Sequence, residues 1–140
     1  MKHYFVVGAI LEHEGRILCM QRPRGKFAST DFKWEFPGGK IEPGESGPEA
    51  LMRELREEMD LQVSITDADY FASVHHIYPE FELSMDCYLV HVADPTFTRK
   101  EHIDHRWLLP ADMPSLDWAA ADWPIVEKIR DAAGDESEFF

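Results

Sequence analysis

The segment GGKIEPGESGPEALMRELREEMDL, from Gly38 to Leu61, decides how the rest of this chain can be interpreted. Within it, Ser46-Gly47-Pro48-Glu49 fits a capping box: the serine hydroxyl accepts from a first-turn amide, the glutamate reaches back, and proline is tolerated in the first turn. Leu51 and Leu55 lie one turn apart and would pack on a sheet. We predict a helix that begins at this box and ends near Met59.

Acidic side chains crowd the predicted helix. Glu54, Glu57 and Glu58 stand at positions i, i+3 and i+4, which share one helix face, so their like charges cost some stability. Arg53 could orient Glu57 through a charge-assisted hydrogen bond. Clustered carboxylate oxygens with no Cys or His between them suit hard cations such as Mg²⁺ or Mn²⁺. The alternative is a solvated acidic face, which is common on surface helices.

The composition is that of one folded domain with an acidic surface. The chain has 140 residues and a net charge of −13, which argues against a nucleic acid polymer as partner, because phosphate neutralisation needs a basic surface. Its two cysteines, Cys19 and Cys87, lie in apolar runs and suit buried, reduced thiols of a cytoplasmic protein. We find neither a signal peptide pattern nor an apolar run long enough to span a membrane.

Hydrophobic patterns on either side of the helix predict a sheet. Strands are expected in YFVVGAIL (Tyr4–Leu11), RILCMQR, the short WEF, LQVSITDADYFASVHHIY, FELSMDCYLVHVA and HRWLLP. Gly38-Gly39 is expected to form a turn, and the amphipathic segment Asp122–Gly134 a closing helix. This order predicts a mixed α/β domain whose sheet is covered by helices on both sides. We assign residues 1–134 to a single domain and residues 135–140 to a short acidic, frayed tail.

The opening segment also resembles a family signature. Gly39, five residues, Glu45, seven residues and then Arg53-Glu54-Leu55-Arg56-Glu57-Glu58 followed by Met59-Asp60-Leu61 match nearly every constrained position of the Nudix box. One position departs, because the family usually has glycine where this chain has Asp60. Glycine there supplies a left-handed helix cap, a conformation that aspartate tolerates better than most residues. We expect a small stability cost and no lost chemistry.

The longer segment WEFPGGKIEPGE (Trp34–Glu45) is similar to the MutT-type branch of the Nudix hydrolases. The resemblance implies an α/β/α sandwich with a mixed β-sheet. It also implies Mg²⁺-dependent hydrolysis, with Mn²⁺ as a substitute, of nucleoside triphosphates to nucleoside monophosphate and pyrophosphate. The implied role is removal of oxidised or modified nucleotides of the 8-oxo-dGTP, CTP or methyl-dCTP type, which connects the protein to nucleotide metabolism and DNA repair.

The resemblance implies roles for individual residues by position. Metal binding is implied for the carbonyl of one glycine and for four glutamates, namely Gly38, Glu54, Glu57, Glu58 and Glu101. Catalytic roles are implied for three residues. Glu54 would help to activate water, Arg53 would orient the glutamates, and Glu101 would act as a metal ligand or base. Glu45 matches a mostly structural position. Because Glu101 lies outside the box in the loop TRKEHIDH, an ordinary exposed glutamate is the alternative reading there.

Candidate substrate contacts lie outside the box. Arg22 and Arg24, with Lys26, belong to a basic loop, and an arginine fork matches phosphate oxygens, although the same charges also serve loop solubility. Tyr78 matches an aromatic that stacks near the base in MutT-type enzymes, with core packing as the alternative. Asp122 matches the position that reads the base; Asn occurs there in the 8-oxoguanine-specific bacterial enzyme, and Asp in relatives acting on cytidine nucleotides or oxidised purines.

Several alternatives stay open. Asp122 could instead act as the N-cap of the closing helix, ahead of Pro124, and Trp118 and Trp123 could line the pocket or belong to the core. The histidines at positions 75, 76, 91, 102 and 105 fit no zinc-binding pattern. The substrate could be ADP-ribose or a dinucleoside polyphosphate, or the chain could be a non-catalytic nucleotide sensor. The assembly could be a monomer or a homodimer.

Overall fold

Seven β-strands and two α-helices build the computed structural model, which describes residues 1–134. The central strand β1 (His3–His13) runs parallel to β6 (Glu82–His91), and the other strand pairs in this part of the chain are antiparallel. The remaining elements are β2 (Arg16–Gln21), β3 (Trp34–Glu35), β4 (Gly38–Lys40), α1 (Gly47–Met59), β5 (Tyr70–Ile77), β7 (Asp104–Leu108) and α2 (Trp123–Ala133). The sheet order is β3-β2-β1-β6-β5, with β4 beside β1 and β7 beside β2.

The two helices cover opposite faces of the sheet. Leu51 and Leu55 of α1 pack on one face in a buried cluster with β1 residues such as Leu11. Ile125 and Ile129 of α2 belong to the cluster on the other face. The predicted α/β/α sandwich with a mixed sheet is thereby confirmed. No helix within residues 1–134 is long and apolar enough to cross a membrane.

Helix α1 begins and ends as its sequence predicts. The amide of Glu49 donates to the Ser46 hydroxyl at 3.2 Å, and the amide of Ser46 donates to the Glu49 carboxylate at 2.9 Å, which completes the capping box. Asp60 adopts the left-handed conformation at the end of the helix, with φ 52° and ψ 31°. Its carboxylate also accepts from the Lys100 ammonium at 2.8 Å. Asp60 therefore connects the end of α1 to the loop that carries Glu101.

Two sequence predictions about local structure were wrong. Gly38 and Gly39 form strand β4, paired with β1 through Val7↔Gly39 and Gly8↔Gly38, instead of a turn. The strand predicted from Leu61 begins only at Tyr70, because residues 67–69 form a 3₁₀ turn. Thr66 caps that turn with its side chain, and local side-chain bonds of this kind compete with strand pairing. The predicted frayed tail, residues 135–140, lies outside the described residues.

Candidate active site

Three carboxylates converge beside strand β4. Glu54 and Glu58 come from one face of α1, and Glu101 comes from the loop before β7. The Glu58 carboxyl is within hydrogen-bonding reach of both others; burial, the bond to Glu54 and the charge of Glu101 raise the pKa of Glu58 to about 9. Because the ionised forms of these neighbouring carboxylates repel one another, a divalent cation bound between them would offset the repulsion. The donors are all carboxylate oxygens, which fits a hard cation.

Arg53 fixes the positions of the carboxylates around it. Its guanidinium donates two hydrogen bonds to Glu45, at 2.7 and 3.0 Å, one to Glu54 at 2.9 Å and one to Glu57 at 3.3 Å. A further bond reaches the backbone carbonyl of Lys40 in β4 at 3.0 Å. The bond from Arg53 is the main cause that lowers the pKa of Glu45. Hydrogen bonds from the Arg53 side chain therefore connect α1, the loop before it and β4.

The two glycines of β4 allow a close approach that no side chain would permit. A Cβ atom on Gly39 would lie 2.4 Å from the carboxyl carbon of Glu54, and one on Gly38 would lie 1.9 Å from the carbonyl oxygen of Val7. Glycine therefore lets the β4 backbone approach the Glu54 carboxylate at Gly39 and the β1 backbone at Gly38. The Gly38 backbone, predicted to ligate metal, lines the same cavity as Glu54 and Glu58.

The carboxylates open into a cavity of about 510 Å³, which is within the usual range for small-molecule sites. Its wall combines acidic, basic, aromatic and buried polar side chains, namely Glu54, Glu58, Glu101, Arg22, Lys26, Lys40, Phe27, Tyr78, Phe81 and Asp122. A second cavity, of about 590 Å³, lies elsewhere and shares none of these residues; it is lined by His13, Arg16, Phe97, Arg99, His105 and Trp107 among others. Only the first cavity joins the carboxylate cluster to the predicted base-reading residues.

Asp122 lies in the wall of this cavity and is 5% exposed. It stands just before α2, but its side chain makes no capping bond; instead its Oδ1 accepts from the backbone amide of Phe36 at 3.2 Å. The N-cap alternative is therefore not what the structure shows. Burial, followed by the charge of Glu35, raises the pKa of Asp122 well above its usual value. In its protonated form, Asp122 can both donate and accept a hydrogen bond, whereas the ionised form only accepts.

Replacing Asp122 with asparagine tests this protonation state. A raised native pKa means that the wild type loses stability as pH rises through the range between the unfolded and folded pKa values, at up to about 1.4 kcal/mol per pH unit. Asparagine keeps the acceptor for Phe36 and has no proton to lose. We therefore expect the free energy of unfolding of Asp122→Asn, relative to wild type, to increase as the pH rises above about 4 in urea titrations. A decrease would mean that Asp122 is ionised and stabilised by Arg22.

A polar network beside Asp122 was missed by the sequence analysis. Arg22 donates to one oxygen of Glu35 at 3.1 Å, and the ring of His102 bonds to the other oxygen at 2.9 Å. All three side chains line the cavity. Glu35 lies within the matched segment WEFPGG, so that segment held the available signal. His102 follows Glu101 directly, but no local pattern connects it to Glu35.

The other predicted substrate residues lie in different environments. Tyr78 lines the cavity, but its hydroxyl accepts from the amide of Ala121 at 2.8 Å and its ring stacks on Phe81 at a centroid distance of 4.7 Å. Arg24 does not line the cavity; it is exposed, with its guanidinium over the ring of Phe32.

Three more predicted residues lie outside the cavity wall. Glu57 is exposed and turned towards Arg53. Trp118 is buried in the core with its indole N–H on the carbonyl of Met113, and Trp123 packs against the same core. For both tryptophans the structure shows the core-packing alternative.

Comparison with known proteins agrees with this geometry. A sequence model of the NUDIX domain matches residues 1–129, nearly the whole described chain. The chain belongs to the Nudix family. It is a Nudix hydrolase, and the Nudix box is the segment that carries the carboxylates of α1.

The alignments of this Nudix hydrolase with individual relatives span nearly the full length of both chains. This chain is 36% identical over 129 residues to the CTP pyrophosphohydrolase of Escherichia coli strain K12. The alignment covers 91% of each chain. The chain is 29% identical over 132 residues to the 8-oxo-dGTP diphosphatase of the same strain, which spans 93% of this chain and 98% of the relative. The solution structure of the E. coli ORF135 protein superimposes with a TM-score of 0.80 at 34% identity and covers 96% of this chain and 94% of that one.

Proposed function

We propose that this Nudix hydrolase converts nucleoside triphosphates to nucleoside monophosphate and pyrophosphate in a Mg²⁺-dependent reaction of the MutT type. The observation that carries the proposal is the single cavity that joins the carboxylates of Glu54, Glu58 and Glu101 to Arg22 and Asp122. The carboxylates suit a divalent cation and Arg22 suits phosphates, whereas Asp122 suits a nucleobase. The cytosol, where buried thiols such as those of the free Cys19 and Cys87 stay reduced, is the proposed compartment.

The cation would be held by Glu54, Glu58 and Glu101, with the Gly38 carbonyl and Glu57 as further ligands. Bound there, Mg²⁺ polarises phosphoryl oxygens and lowers the pKa of water; Mn²⁺ has the same ligand preference. The chain's own contribution is the rigid placement of the carboxylates by α1 and β4.

Hydrolysis requires that water attack a phosphorus atom, that the bond to the bridging oxygen break, and that pyrophosphate leave. The proton of the attacking water passes to a carboxylate, for which we propose Glu54 or Glu101. Arg53 holds Glu54 through its 2.9 Å bond and so acts as a positioning residue. Arg22 and Lys26 line the cavity and would bind phosphate oxygens.

We propose cytidine triphosphates as the first substrate class, with 8-oxo-dGTP as the second. The relative that is 36% identical is named for CTP, and the 29% identical relative for 8-oxo-dGTP. An aspartate oxygen can accept from the exocyclic amine of cytosine. Asp122 is a buried polar residue of the cavity wall, and its oxygen that is not bonded to Phe36 could accept this hydrogen bond. Tyr78 and Phe81 contribute aromatic surface to the same cavity.

Product release across a substrate panel tests the proposal. Purified protein with Mg²⁺ is given CTP, 5-methyl-dCTP, 8-oxo-dGTP, dGTP, 2-hydroxy-dATP and ADP-ribose, and monophosphate and pyrophosphate are measured, with a chelator-treated sample as control. We expect pyrophosphate from the triphosphates, fastest with a cytidine base. Turnover of ADP-ribose alone would contradict the proposal and indicate another Nudix substrate class. Nucleotide binding without any turnover would indicate a sensor.

A further inference from the structure

Three side chains from three adjacent strands meet on one face of the sheet, away from the active-site cavity. His3 belongs to β1, Glu82 to β6 and His75 to β5. In the parallel pair, His3 is opposite Glu82; in the antiparallel pair, His75 is opposite Ser84, two residues beyond Glu82. Because side chains alternate along a strand, these registers place all four on the same face. None of them lines the active-site cavity.

The distances between their donor atoms are those of a cluster that could share one ion. One atom each of His3, His75 and Glu82 lies within 4.8 Å of the other two. The His3 Nδ1 is 3.7 Å from the Glu82 Oε2, and the His75 Nε2 is bonded to the same oxygen. No other group of His, Cys, Asp and Glu in residues 1–134 meets this distance condition. The strands hold the three donors in place without a flexible loop.

Two neighbouring side chains hold the ring of His3 in an orientation that suits metal binding. Its Nε2 is bonded to the Ser84 hydroxyl at 2.8 Å, which leaves Nδ1 directed at Glu82. Its ring stacks on Phe5 at a centroid distance of 4.3 Å, so the ring orientation is fixed. Metal-binding histidines typically have their second ring nitrogen held by such an outer hydrogen bond. Glu82 contributes a carboxylate oxygen that both histidine rings face.

We propose that His3, His75 and Glu82 form a second metal site, for Zn²⁺ or a similar borderline divalent ion, distinct from the hard-cation site of the Nudix box. Two imidazole nitrogens and one carboxylate oxygen are a common three-residue ligand set for zinc, and water completes the tetrahedron. Imidazole donors select against Mg²⁺, which prefers oxygen ligands. The two sites therefore differ in ligand chemistry as well as in position.

A metal here would join the edge of the sheet to its centre. β5 is an edge strand, and β6 separates it from β1. An ion held by one residue from each strand links all three, and an ion that binds only the folded state raises its stability. We therefore expect Zn²⁺ to raise the melting temperature of the protein.

The test is Zn²⁺ titration of the metal-free full chain in excess Mg²⁺, which occupies the box carboxylates, with free Zn²⁺ read by a chromophoric chelator. We expect one equivalent in wild type, and Co²⁺ in its place should give the visible absorption bands of a tetrahedral site. His3→Gln and His75→Gln should each weaken Zn²⁺ binding more than about tenfold and remove the Zn²⁺-dependent rise in melting temperature.

Two controls separate this site from other metal binding. His91→Gln removes another strand histidine that is paired with a glutamate, Glu12, at 3.2 Å, and it should bind Zn²⁺ as wild type does. Glu58→Gln should also keep the Zn²⁺ equivalent, which makes the result independent of the proposed hydrolase mechanism. Absence of Zn²⁺ binding in wild type, or equal binding in the His3 and His75 variants, would overturn the proposal.

Discussion

Glu58→Gln should abolish nucleoside triphosphate hydrolysis while leaving the fold intact. The amide keeps the size of the side chain but removes the charge that a divalent cation needs, and the loss of such electrostatic stabilisation amounts to several kcal/mol, or at least about 10³-fold in rate. Because burial and the neighbouring Glu54 and Glu101 disfavour the ionised form of Glu58, the neutral amide replaces the carboxyl without a cost to the metal-free fold. We expect the unfolding midpoint without metal to stay equal to wild type or to rise. Pyrophosphate release and urea unfolding measure the two effects.

Glu127→Gln is the matched control for this variant. Glu127 is exposed on α2, so the same chemical change there should leave both turnover and stability unchanged. If Glu58→Gln kept more than about a tenth of wild-type turnover, Glu58 would not be a ligand of the proposed metal site.

Arg53→Lys should lower both activity and stability, although the charge is conserved. Lysine cannot reproduce the two-pronged bond to Glu45 together with those to Glu54 and the Lys40 carbonyl. Loss of charged hydrogen bonds at a side chain only 16% exposed should reduce the free energy of unfolding by about 2 kcal/mol. Displacement of Glu54 should reduce the rate by about 10²-fold.

The same helix supplies the control for Arg53. Arg56 is exposed one turn further along, so Arg56→Lys should behave as wild type in both assays. If Arg53→Lys lowered stability but left the rate constant unchanged, Arg53 would have a structural role only, and its proposed positioning of Glu54 would be wrong. Measurements of kcat at saturating substrate distinguish that outcome from weaker binding.

The features that sequence analysis predicted correctly depend on short separations along the chain. The capping box of α1 spans four residues, and the face shared by Glu54 and Glu58 follows from helix periodicity alone. Hydrophobic patterns similarly located β1, β2, β6 and α2. The Nudix box is itself a local pattern, so its recognition required no knowledge of distant contacts. The turn predicted at Gly38-Gly39 was wrong because strand pairing with β1 is a long-range interaction.

The remaining parts of the site depend on contacts between distant residues. Asp122 is bonded to Phe36, 86 positions away in the sequence, and His102 is bonded to Glu35, 67 positions away. The position of Asp122 just before α2 suggested a helix cap, whereas the fold buries its side chain beside the cavity, and this burial raises its pKa. Arg22 and Arg24 looked equivalent in the sequence, but the fold directs only Arg22 into the cavity.

The sequence by itself determined the helix, its carboxylates and the family, because spacing along a helix converts directly into a shared face. Only the tertiary structure decided which residues surround those carboxylates and which histidines meet. His3 and Glu82 are 79 positions apart yet opposite each other in the sheet. Strand order and register are set by burial of the whole sheet between two helices, and no local pattern contains that information.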